Sequence, residues 1–117
     1  MSWTATHLDT DTPPKHLPEA EGHEGLWRLE WSDDEGRQCM TIFLWLKDDL
    51  WRAKADHKRS GLGDPPVSPV SHTPIVACGC ALMVLSARLK DKTALVDEID
   101  MAREDLRNAP LPRRPSA

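Results

Sequence analysis

The sequence predicts a small α+β domain in which an antiparallel β-hairpin, or a three-stranded sheet, packs against a long C-terminal helix. Three observations carry this. Trp27, Leu29 and Trp31 alternate with Arg28 and Glu30, the period-two pattern of a half-buried strand, and a second apolar run follows over residues 38–46. Leu82, Leu85, Leu89, Val96, Ile99 and Leu106 recur at helical spacing once Lys92 and Arg103 are taken as interruptions of one stripe. Between the two regions lie Gly61, Gly63, Pro65, Pro66 and Pro69, the composition of a crossing loop.

Residues 1–25 form an irregular leader. They hold Pro13, Pro14 and Pro18, several acidic groups and three histidines, His7, His16 and His23, without apolar periodicity. Trp3 and Leu8 are the side chains able to pin this leader to the domain. The domain proper spans residues 26–108. After its first strand, Asp33, Asp34, Glu35 and Gly36 suit a type I turn with a left-handed residue at its end. The return strand is apolar on both faces, with Met40, Ile42, Leu44 and Leu46 on one and Cys39, Phe43 and Trp45 on the other. Such a strand is covered on both sides or sits in an interface.

Residues 48–60 admit two readings. Trp51, Ala53 and Ala55 alternate with Arg52 and Lys54 as in a third strand, while Asp48 or Asp49 as an N-cap and Lys58-Arg59 before Gly61 mark a short helix. The helix is the expectation. Residues 74–108 then make one long helix, or two in succession with a break near Lys92. Thr73 is its N-cap and Pro74 its first residue, where a missing N–H costs nothing. Residues 109–117 form a flexible tail rich in proline and arginine.

A chain of 117 residues is one domain, and its proline-rich parts leave about 85 residues for a core. Its 19 acidic and 15 basic side chains give a net charge of -4, which argues against a nucleic-acid backbone as the direct ligand. No apolar run is long enough to span a bilayer, and no basic flank followed by an apolar core opens the chain, so no membrane partner and a cytoplasmic location are expected. Three cysteines are an odd number and would stay reduced there. The absence of tyrosine and the wealth of alanine, arginine and proline are what GC-rich bacterial or phage codons produce.

The chemistry-bearing residues are few. Cys78 and Cys80 lie at the start of the predicted helix, where the dipole favours a thiolate, and His72 is six positions upstream of Cys78. No oxyanion-hole signature accompanies them, and small cysteines of this kind commonly just pack. With His57 and His72 the two thiols make four candidate zinc ligands, but C-x-C is not the knuckle spacing. Residues 60–64 look like a phosphate loop that leads into prolines instead of a helix. No cofactor is therefore expected.

The tryptophans are the stronger signal. Trp27, Trp31, Trp45 and Trp51 crowd one segment of a chain with one phenylalanine. Some must form the core, and at least one is expected as an exposed anchor in a partner interface. Asp97, Glu98, Asp100 and Glu104 on the helix add an acidic face for a basic partner. The expected function is a non-catalytic protein–protein interaction protein that docks its Trp-rich hairpin and long helix onto another protein or onto itself as a homodimer. A phage or mobile-element inhibitor of a host protein has this size and bias. The rival is a small metal-binding or Cys-dependent enzyme module centred on His72, Cys78 and Cys80.

Overall fold

A computed structural model describes residues 1–113. Four strands form one antiparallel meander in the order β1-β2-β3-β4: β1 Ser2–His7, β2 Gly25–Ser32, β3 Gln38–Lys47 and β4 Leu50–His57. Two helices follow, α1 Pro74–Arg88 and α2 Thr93–Asp105. The α+β class thus holds, with two more strands than the hairpin alone supplies.

The β2–β3 turn forms as its residues dictate. Gly36 has φ +79, Gly36 N–H donates to Asp33 O, and the Asp33 carboxylate accepts from the N–H groups of Glu35 and Arg37. The Arg37 N–H leads the contacts that hold the Asp33 carboxyl below its usual range. Past this turn, residues 48–60 are not a helix. Asp48 and Asp49 both adopt the left-handed conformation, with φ 53 and 64, and join Lys47 to Leu50 as a two-residue hairpin turn. The period-two pattern outranks the helix-friendly composition because Trp51, Ala53 and Ala55 all face the helices, and the two alanines let α1 approach the sheet closely.

The leader is likewise more ordered than its prolines suggest. Its first residues are β1, paired in register so that Trp3 faces Trp31 and Ala5 faces Leu29. The rest crosses the opposite face of the sheet, where Leu17 and Ala20, the latter in a single 3-10 turn (Pro18–Ala20), bury Leu26 and Trp45 in a small second core. The crossing loop runs along the outer edge of β4. There Ser71 and Trp51 exchange both backbone hydrogen bonds, and Ser68 bonds Ala53 through its N–H and its hydroxyl.

The long helix is two. Thr73 caps α1 by accepting from Val76 N–H, and Pro74 opens it as expected. It ends at Leu89, where Lys90, Asp91 and Lys92 break the stripe, and Lys92 reaches back to the carbonyl of Ser60 at 2.8 Å. The apolar stripe survives the break with Leu95 in the place expected of Val96, which is half-buried on the outer side: Leu82, Leu85, Leu89, Leu95, Ile99, Ala102 and Leu106 are buried in one cluster with the inner face of the sheet. Ala109 and Leu111, read as tail, pack against that cluster. The Arg113–Ser116 segment, with its basic and proline pattern, lies outside the described residues from position 114 on.

Candidate functional site

The tryptophans do not make an exposed docking face. Trp31, Trp45 and Trp51 are each no more than 1 % exposed. Trp27 is half-buried, its ring lying across Gly25 between His7 and Trp51, with ring centroids 5.2 and 5.4 Å away. The extra cover comes from parts of the chain far off in sequence. Trp3 joins Trp31 under α2, donating its indole N–H to the carbonyl of Ala102 at 2.7 Å, while Trp31 donates to the Asp105 carboxylate at 2.8 Å. Trp45 is covered by the leader.

The acidic face of α2 divides. Asp97, Asp100 and Glu104 are exposed, but Glu98 turns inward. Its carboxylate meets His57 Nε2 at 2.6 Å and Arg59 at 2.9 Å. His57 is 1 % exposed, and its Nδ1 accepts the N–H of Arg59, so Nε2 carries the proton and donates to Glu98. Both ring nitrogens are consumed, which removes His57 as a metal ligand.

The thiols are no better placed. Cys78 is fully buried against the sheet, and burial pushes its thiol up to about 12, the reverse of an activated nucleophile. Cys80 is half-buried and His72 exposed. Among the described residues no group of three or more His, Cys, Asp or Glu side chains is gathered to hold a metal, so His57, His72, Cys78 and Cys80 are not brought together. Alkylation of the native chain at neutral pH should label Cys80 first and leave Cys78 unmodified until denaturant is added. Rapid labelling of Cys78 in buffer would contradict its burial.

Two surfaces remain that the sequence reading does not single out. The first is the outer side of α1. Residues 74–87 contain no charged side chain, and Ile75, Val76 and Met83 stand exposed, Val76 by 50 % and Met83 by 55 %. Met83, Ala87 and Val96 of α2 line a shallow groove of about 370 Å³ edged by Lys90 and Arg103. The signal was present in the sequence as a helix apolar all round, which needs a cover on every side.

The second is a cleft of about 650 Å³ on the sheet face away from the helices. Its floor is the cross-strand row Arg28, Phe43 and Lys54, with Thr41 and Asp56 beside it. One wall is the leader, with Lys15, His16 and Pro18, and the other is the crossing loop, with Leu62, Gly63 and Pro65. Lys54 is 6 % exposed and holds the walls in place, bonding Glu19 at 3.1 Å, Asp64 at 3.0 Å and the carbonyl of His16 at 3.4 Å. Burial pushes its ammonium down, yet the bonds to Asp64 and Glu19 outweigh this and leave its pKa above the ordinary lysine value.

No protein-family model, no curated protein and no solved structure matches this chain. Among the described residues no helix is long and apolar enough to cross a membrane.

Proposed function

We propose that this chain is a non-catalytic interaction protein that works as a homodimer, joined through the outer side of α1. The observation that carries the reading is the uncharged, exposed face of α1 in a chain of which 29% of the residues are charged. Its surroundings favour a second copy as the occupant. Lys90 and Arg103 edge the apolar groove, and Asp97, Asp100 and Glu104 form a row on α2; none of the five has an ion-pair partner among the described residues. A two-fold arrangement lays apolar face on apolar face and sets each basic edge against the twin's acidic row, which is the self-complementarity an isologous contact requires.

Light scattering and sedimentation of the full chain test this. The expected mass is that of a dimer at micromolar concentration, shifting toward monomer with Met83→Glu while the circular dichroism stays unchanged. High salt should weaken the dimer, since the rim pairs are solvent-accessible. A monomer that persists at high concentration overturns the proposal, as does a dimer indifferent to Met83→Glu.

A further inference from the structure

We infer that the cleft on the open sheet face is a binding site for a small organic anion with a flat apolar body, held by a carboxylate or phosphate group. Its unspent hydrogen-bonding capacity is mostly donor. Lys15 has no partner among the described residues, and Lys58 has only a 3.4 Å contact to the neutral Gln38 side chain. Arg28 touches Glu30 through Nε at 3.0 Å, but in an approach too bent for a hydrogen bond, and its two terminal nitrogens make none among the described residues. The acceptors are fewer and partly engaged. Asp56 accepts on Oδ1 from the Ser60 hydroxyl at 2.6 Å and from His57 N–H at 2.9 Å, and Asp64 accepts on Oδ1 from Lys54 at 3.0 Å. A cleft lined by Lys15, Arg28, Lys54 and Lys58 against Asp56 and Asp64, with unspent guanidinium and ammonium donors in an otherwise acidic chain, selects an anion.

The apolar part of the ligand follows from the floor. The half-buried Phe43 ring offers a face between Arg28 and Lys54, with His16 edge-on to it at 5.1 Å and 67°. Leu62, Pro18 and Pro65 close the sides. Such a mixture, a mostly apolar lining with a few convergent polar groups in a cavity of this volume, is that of a small-molecule site. An acidic peptide is a poorer match, because peptides that dock on sheets gain main-chain hydrogen bonds at a free strand edge. This floor is the face of β2, β3 and β4, whose backbone groups are already spent in the ladder.

The test is titration of the isotope-labelled full chain with 1-naphthoate, followed by amide chemical shifts, with the uncharged 1-naphthamide as the control. Saturable shifts are expected at Thr41, Phe43, Lys54 and Gly63 with naphthoate alone. The Arg28→Gln/Lys58→Gln double variant should weaken binding by about ten-fold or more, since it removes charge-assisted bonds. Lys15→Glu, at an exposed position, should weaken it in a chain whose spectrum is otherwise unchanged. Equal response to naphthamide, shifts confined to α1, no response at millimolar probe, or binding only of an oligoglutamate peptide would each overturn the inference. None of these outcomes depends on whether the chain dimerises.

Discussion

Trp31→Ala should destabilise the chain by about 3–5 kcal/mol, the cost of emptying a fully buried aromatic site that the surroundings cannot refill. Trp31 is 0 % exposed and lies between Trp3 on β1 and Met40 on β3, beneath α2. The loss has two parts that can be separated. Trp31→Phe keeps most of the apolar contact but deletes the indole N–H bond to Asp105, so it should cost about 1–2 kcal/mol. Urea denaturation followed by circular dichroism measures both. If Trp31→Ala lowers the midpoint no more than Trp31→Phe does, the ring is not in the core. A small domain has only about 5–15 kcal/mol in hand, so the alanine variant should lie close to unfolding at 37 °C.

Replacing Lys54 should have the second-largest effect, and it should be local. Lys54→Ala removes the group that ties the leader and the crossing loop to β4, and the expected loss at neutral pH is about 1.5–2 kcal/mol. The figure sits at the low end for charged hydrogen bonds because Asp64 is 88% exposed and its pairing with Lys54 is screened by water. Trypsin gives a direct readout, since Lys15 lies in the released segment and should become a preferred cleavage site. The pH dependence has a definite sign. The folded pKa of Lys54 is raised, so its contribution is fully present below the unfolded lysine value of about 10.4 and disappears as pH climbs through the higher folded value. Wild type should therefore lose an alkaline increment of stability that Lys54→Met never had. A variant with the same alkaline profile as wild type would show that the pairing contributes nothing.

Much of the frame can be read from local pattern, and what cannot traces to contacts between distant segments. The alternation at Trp27, Leu29 and Trp31 and the turn at Asp33 to Gly36 involve neighbours in sequence, so the hairpin is legible. Asp48 and Asp49 suit a helix cap and a tight turn equally. What decides between them is α1, which needs Ala53 and Ala55 beneath it. From that one ambiguity the error at Glu98 follows. Only when residues 50–57 are a strand does His57 turn toward the helices, and only then is there a buried partner to draw Glu98 inward. The tryptophans pose the same difficulty. Whether four indoles exceed the core depends on how many strands and lids exist, and β1 is nearly invisible because Trp3 is its one large apolar residue. The cleft has no local signature at all, since its floor comes from three strands and its walls from two loops.

The indole hydrogen bond from Trp3 to Ala102 links positions 99 apart. As the nascent polypeptide leaves the ribosome, β1 emerges well before the α2 carbonyl that accepts its indole N–H. The β2–β4 meander can assemble in the meantime, because its strands are joined by short turns. Roofing of that sheet thus lags behind the pairing of its strands, and until it happens the inner face, with Trp3, Trp31 and Met40, is a greasy surface that a holding chaperone can occupy.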